Sequence, residues 1–511
     1  MNISRRAFIE GVAGLSLLGS RRVFAVPAGA FAVGTPNLTF GVLSDVHVAL
    51  AKGGSRLNKT FDTRHLEKAF AYFRDHGADA VVIAGDLAHH GLVGELKAVA
   101  DTWFRVFPDD KAPDGRTVER VFVFGNHDWS GVKRGQSIYS DSDKIAAQAL
   151  RNNPAKAWET CFHEEWREFY RKEVKGYSFV GAHWCLGRKR DGDCSGRDET
   201  FIAGLDERYE TIRKQIDPSK PFFHVQHPHP KGTVHGDVWG QDDGSSTRVL
   251  STLPNAVSFS GHSHTTLLDD RSVWQGAFTA IGCGTLRNIG PSGIRCGLAN
   301  GFENYTTPDK GDDALKVMAC INRYEGKQGQ LVRVYSDRIV VSRRDFTNDV
   351  ALMDDLLIPL PMTKSRPFAF APRAAEAKAP QFRAGAVLTT RFVEARPRGV
   401  KKGQPGKPAL EVVIPPADAV ASARCVRYEI AAPGRDGQEL KVAVLAEGFR
   451  FAAGDRRVRE SAKCLIARDR LATGKGMVSV RAFSAWDKAS EPLTTSVTLE
   501  ELGQEVLSPS T

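Results

Sequence analysis

Five short runs of strand-forming apolar residues each end at a residue able to bind metal, and this repetition constrains the fold more than any other feature. LTFGVL (38–43) leads into Asp45 and His47, AVVIA (80–84) into Gly85-Asp86, and VFVF (121–124) into Gly125-Asn126-His127. FFHV (222–225) leads to His227, and AVSF (256–259) to Gly261-His262-Ser263-His264. Between the runs the apolar spacing turns helical: Leu66, Ala69, Phe70 and Phe73 share one face of a helix over 63–76, and further helices are expected over 94–107 and 205–216. Strand, loop, helix, repeated in this way, is the pattern of a layered α/β fold. In such folds ligands collect beyond the carboxyl ends of the strands, where every one of these clusters lies.

A chain of 511 residues exceeds one ordinary core, so two domains are expected. Segments 331–335 and 338–343 alternate and read as a hairpin near the sheet edge. From Met362 to Gln381 the composition shifts to Pro, Ala, Lys and Arg without periodicity, as in a linker. Short alternating segments follow at 386–392, 409–414, 423–431, 441–445, 463–467 and 476–483, with turn residues between them. That spacing suggests an all-β sandwich over 382–511, and Val480–Asp487 resembles the last strands of a fibronectin III or Ig-like module.

The N-terminus, Ser4-Arg5-Arg6-Ala7-Phe8 followed by an apolar stretch to Leu18, resembles a twin-arginine signal over 1–30. The stretch is too short to span a bilayer, so no transmembrane helix is expected in the mature chain, and the periplasm or another extracytoplasmic site is the expected location. An uncleaved signal acting as an anchor is the alternative. In an oxidising compartment Cys185–Cys194 and Cys425–Cys464 are possible pairs, and none of the eight cysteines has zinc-site spacing. The formal charge of +10 suits an acidic partner or an ordinary basic surface equally.

Asp45 with His47, and His262 with His264, are two apart. In an extended chain such residues point to one side and can share an ion. Asp and His together suit zinc, iron or manganese better than calcium. The ordered series Asp-x-His, Gly-Asp, Gly-Asn-His-Asp, His, Gly-His-x-His is similar to that of the calcineurin-like metallophosphoesterases, over residues 31–361. The resemblance implies a four-layer α/β/β/α sandwich and a dinuclear centre of divalent or trivalent Zn, Mn or Fe. It places Asp45, His47 and His264 on one ion, Asn126, His227 and His262 on the other, and Asp86 between them. It further implies attack on a phosphate mono- or diester by a hydroxide bridging ions about 3.5–4 Å apart. His127 is then the catalytic residue that protonates the leaving oxygen, with Asp128 orienting it or a neighbouring group. His47, in place of a glycine, and His89, in place of an iron-binding tyrosine, separate the chain from the purple acid phosphatases.

Beyond the series, His89, Trp129 and Trp239 are candidate substrate contacts, the tryptophans either stacking on a substrate ring or filling the core. Trp184 and Trp274 read as core, and His224, His229 and His235 as strand packing or loop solvation. The expected substrate is a small phosphate ester rather than nucleic acid. A nucleotidase or nuclease using the same centre is a second reading. A third is an envelope binding protein with a vestigial site, whose C-terminal domain contacts glycan or protein; in an enzyme that domain could instead contact substrate.

Overall fold

The computed structural model describes residues 34–51, 56–59, 61–130, 149–150, 153–185, 202, 204–236, 240–289, 326–395, 407–418, 423–449, 451–452 and 454–499. The twin-arginine segment, Trp239 and Cys194 lie outside these residues.

The first part of the chain builds two sheets. In order come β1 (Leu38–Leu43), α1 (Arg64–Asp75), β2 (Ala80–Ala84), α2 (Val93–Val106), β3 (Glu119–Val123) and α3 (Pro154–Phe162). Next are β4 (Phe169–Val174), β5 (Tyr177–Ala182), α4 (Leu205–Ile212), β6 (Phe222–Val225), α5 (Ser245–Leu250), β7 (Ala256–Ser260), β8 (Val273–Gln275) and β9 (Thr279–Gly282). The chain then returns with β10 (Gln328–Val334), β11 (Arg338–Asp345), β12 (Val350–Ala351) and β13 (Leu356–Pro359). The first sheet runs β12-β11-β10-β1-β2-β3, with β13 on β11; the second runs β4-β5-β6-β7-β9-β8. β1, β2 and β3 are parallel, as are β5, β6, β7 and β9, so all five ligand-bearing loops emerge at carboxyl ends. The expected hairpin is β10–β11. It lies near the edge of the first sheet, with β10 against β1 and only the short β12 and β13 beyond β11.

The alternation hidden in the all-apolar strands decides the layering. Phe40 and Val42 of β1, Val82 of β2 and Val121 of β3 face Phe179, Phe223, Val225 and Phe259 of the second sheet, forming the central core. The intervening residues Leu43, Val81, Ile83 and Phe122 face outward onto Phe70 and Phe73 of α1, Leu96 and Trp103 of α2, and Trp158 and Phe162 of α3. Val180, Phe222, Ala256 and Ala280 meet α4 and α5 on the far side. The result is the expected four-layer α/β/β/α sandwich. α3 begins at Pro154, which needs no N–H partner, and the Asn153 side chain caps it by accepting from Lys156 N at 3.0 Å.

Within the expected linker, Met362 and Phe368 are buried in the inter-sheet core, and Phe368 exchanges hydrogen bonds with Gln275. α6 (Phe370–Glu376) follows. The C-terminal part is all β: β14 (Thr389–Ala395), β15 (Lys407–Ile414), β16 (Arg427–Pro433), β17 (Glu439–Leu445), β18 (Ala462–Ala467), β19 (Gly474–Phe483) and β20 (Leu493–Leu499). They form a three-stranded sheet, β14-β15-β18, and a four-stranded sheet, β17-β16-β19-β20, around a shared apolar core. Phe370 packs edge-on against Trp486, and the Arg373 guanidinium lies over the same indole. Cys425 is a thiol whose Sγ donates to Arg427 O at 3.4 Å, so the Cys425–Cys464 pair does not form; Cys185 is also a thiol. Among the described residues no helix is long and apolar enough to cross a membrane.

Candidate metal centre

Six of the seven side chains read from the sequence as ligands, all but Asn126, converge where the carboxyl ends of the two sheets meet. Two groups of ligand atoms, each group within 4.8 Å, share Asp86: Asp45, His47, Asp86 and His264, and Asp86, His227 and His262. Asp86 Oδ2 is 3.2 Å from His47 Nε2 and 3.4 Å from His227 Nε2, so one oxygen reaches toward both groups.

The paired ligands do not converge as extended residues. Asp45 (φ 52°), His47 (φ 50°), Asp86 (φ 55°), His262 (φ 68°) and His264 (φ 56°) are all left-handed, a conformation that costs a side-chain-bearing residue roughly 1–3 kcal/mol. Neighbouring loops hold them there: Asp45 N donates to Gly85 O, His47 N to Asp86 O, and His262 N to Asp45 Oδ2. Gly125 matters for space, since a Cβ there would lie 2.3 Å from Asp86 Oδ1.

The donors fit a metal. His264 Nδ1 lies 3.0 Å from Asn288 O and His227 Nδ1 lies 2.7 Å from Ala84 O. Carbonyls only accept, so each Nδ1 bears a proton and Nε2 is the atom that each ring turns toward the cluster. Yet His264 Nε2 is 3.0 Å from His47 Nε2, and His227 Nε2 is 3.1 Å from His262 Nδ1. Among the described residues, buried Asp45 Oδ1 and Asn126 Oδ1 have no hydrogen-bond donor. Ring nitrogens and carboxylate oxygens crowded this closely, beside buried oxygens that lack a donor, suit shared cations. Burial would raise the Asp45 and Asp86 carboxyls, but the histidines around them outweigh it and hold both well below the usual range. Burial pushes His262 down to about 3, whereas Asp86 and Asp45 overcome burial and lift His227 to about 9.

His127 stands beside both groups. Its N–H donates to Asp86 Oδ1 at 2.8 Å, its Nδ1 donates to His89 O at 2.8 Å, and its ring meets that of His47 at a right angle. Asp128 does not orient His127. It accepts from Gly125 N, Ala88 N and Leu87 N, tying the loops after β2 and β3 together.

The other candidates separate. His89 stacks on His127 at 5.2 Å, close to the site. Trp129 packs on Phe124 and donates to Trp184 O, taking the core alternative. Trp184, read as core, also sets its ring 5.3 Å from His262 and 6.0 Å from His227. His224, His229 and His235 are buried, held by Tyr209 and Gln226, by Ser260 and Ser263, and by Asp269 respectively, so loop solvation does not apply to them. The sequence reading missed Arg287, whose Nη2 is 3.2 Å from His89 Nε2. No motif marks it; the fold brings it in.

Residues 38–266 match the family model described as Calcineurin-like phosphoesterase. No curated protein sequence matches the chain. Similar solved structures include a conserved uncharacterized protein of Streptococcus pneumoniae TIGR4, described as a predicted phosphoesterase (11% identity, 63% of this chain and 97% of that one, TM-score 0.23). Others are purple acid phosphatase PPD1 from yellow lupin (Lupinus luteus) seeds (14%, 64% and 55%, 0.35) and Zn-complexed Vps29 from Entamoeba histolytica (8%, 63% and 99%, 0.25). At these TM-scores the structural likenesses carry no argument about substrate or metal. The match spans residues 38–266 of the 511, and the layered fold agrees with it.

Proposed function

We propose that the chain is an exported, dinuclear-metal phosphoesterase that hydrolyses a small phosphate mono- or diester. The family implies a metal-dependent phosphoester hydrolase. The observation that carries the finer reading is the pair of ligand-atom clusters sharing Asp86, with His127 beside them. Asp45, His47 and His264 would hold one ion, Asn126, His227 and His262 the other, and Asp86 both. Two ions bound there would lower the pKa of water and neutralise phosphate oxygens.

The chain supplies the rest. Hydrolysis breaks the bond from phosphorus to the leaving oxygen, forms one to a water oxygen, and requires a proton on the departing alkoxide. His127 Nδ1 is engaged with the His89 carbonyl, so the proton leaves from Nε2. The Asp86 contact to its backbone fixes that ring relative to the ligands. Export is supported by Ser4-Arg5-Arg6-Ala7-Phe8.

The test is metal analysis of the full-length chain, with turnover of p-nitrophenyl phosphate, bis-p-nitrophenyl phosphate and DNA in zinc, manganese and iron. Near two ions per chain, hydrolysis of a small ester and no cutting of DNA are expected. Asp86→Ala should release ions from both groups. A chain that binds no metal and stays inert after metal addition would overturn the reading.

A further inference from the structure

A third set of ring nitrogens lies next to the two ligand groups. Nitrogens of His47, His89 and His127 come within 4.8 Å of one another. This set contains no carboxylate, and the Arg287 guanidinium sits 3.2 Å from His89. Beyond His47, which the ligand group shares, His89 and the Arg287 cation offer hydrogen-bond donors and a fixed positive charge, a setting that attracts an anion.

Arg287 is held firmly. Its backbone N–H donates to Thr285 Oγ1, Leu286 N donates to Ser44 O, and Asn288 O receives the His264 Nδ1 proton. The half-buried guanidinium lies over the Phe61 ring, its carbon 4.6 Å from the ring centre. Lys327 Nζ donates to Arg287 O, bringing a second cation behind it.

The arginine also sets the His89 proton. A guanidinium only donates, so His89 Nε2 accepts and its proton resides on Nδ1. That Nδ1 is buried and, among the described residues, has no hydrogen-bond partner. A planar, always-charged donor and an unsatisfied N–H therefore sit together beside the ligands, on the His127 side.

We propose that Arg287 and His89 form an anion-binding arm that takes a non-bridging phosphate oxygen and makes the chain prefer monoesters to diesters. The inference rests on the phosphoesterase reading above and narrows its substrate class. Near neutral pH a phosphate monoester carries a second negative charge and one more unesterified oxygen than a diester. An extra fixed cation with a neighbouring N–H matches that additional oxygen, whereas in a diester the same position holds an uncharged ester oxygen that gains little from either group.

The experiment uses the metal-replete full-length chain and its variants Arg287→Met, Arg287→Lys and His89→Phe. Inorganic phosphate binding is measured by calorimetry, and kcat/KM is measured on p-nitrophenyl phosphate and bis-p-nitrophenyl phosphate. Loss of a charge-assisted bond predicts that Arg287→Met weakens phosphate binding and lowers monoester kcat/KM by roughly 10–100-fold, with the diester changed by less than about threefold. Arg287→Lys should recover part of both losses, and His89→Phe should shift the ester ratio in the same direction by less. Metal content and melting temperature should stay near wild type. Unchanged phosphate affinity in Arg287→Met, or equal losses on both esters, would overturn the arm. A wild-type chain that hydrolyses neither ester would overturn the phosphoesterase reading, and the phosphate titration would still decide the arm.

Discussion

At the scale of single residues, proton placement separates roles that residue type alone does not. His127 and His227 both lie near Asp86, yet His227 turns Nδ1 to Ala84 O and offers Nε2 to the ligand cluster. His127 turns Nδ1 to His89 O and approaches Asp86 only through its backbone. His127→Ala should therefore lower turnover by roughly 10²–10⁴-fold while metal content stays near wild type, read by steady-state kinetics beside metal analysis. Away from the ligands, His183 Nδ1 accepts from Phe124 N at 2.9 Å, an arrangement that only neutral imidazole allows. Burial lowers His183 to about 3 and His224 to about 4. The unfolded chain takes up these protons near pH 6.5 and the folded chain only near 3 to 4, so their stabilisation is complete above 6.5 and is lost as pH falls through that window, at about 1.4 kcal/mol per unit of separation. Melting temperature should accordingly fall between pH 6.5 and 4. His183→Gln, which can still accept from Phe124 without titrating, should show a shallower decline. The six clustered side chains and His127 were legible because their spacing is local. Arg287 was not, because it reaches His89 only after the chain has crossed from the first sheet to the second, some two hundred residues on.

At the scale of elements, the strand ends do more than display ligands. The sequence suggested that residues two apart converge on an extended strand, but the strands stop at Leu43 and Ser260 and the ligands sit in left-handed turns beyond them. Alternation within a strand is readable from residue type. The conformation past its end is not, because it is imposed by contacts such as Asp45 N to Gly85 O, between segments forty residues apart. The same logic locates a fragile element in the loop after β3. Gly125→Ala would put a methyl group against Asp86 Oδ1 and the His227 ring. Overpacking of that kind costs about 1–3 kcal/mol, and here the strain falls on the shared ligand. Metal affinity should drop more than melting temperature does, which metal titration beside thermal unfolding would show. β4, β8 and β20 escaped the sequence reading for a related reason: Phe169–Val174 and Leu493–Leu499 are largely exposed or intermediate, and β8 is three residues long.

At the scale of the whole molecule, each ligand group draws on both sheets. Asp45 and His47 follow β1, Asp86 follows β2 and Asn126 follows β3 in the first sheet, while His227 follows β6 and His262 and His264 follow β7 in the second. Bound ions therefore favour the docked sheets over any state in which they separate. At free metal one hundredfold above the dissociation constant, each site adds about 2.7 kcal/mol. Chelation should lower the melting transition of the phosphoesterase domain and leave that of the C-terminal sheets in place, as differential scanning calorimetry would record. The order of the strands along the chain adds a further consequence. Because the last donor, His264, follows β7 in the second sheet, the donor set cannot be complete until both sheets have emerged that far and come together. Metal uptake is then a late folding event and metal release an early unfolding one. The ion acts as a checkpoint on topology, since a chain that holds it has already brought its two halves into register.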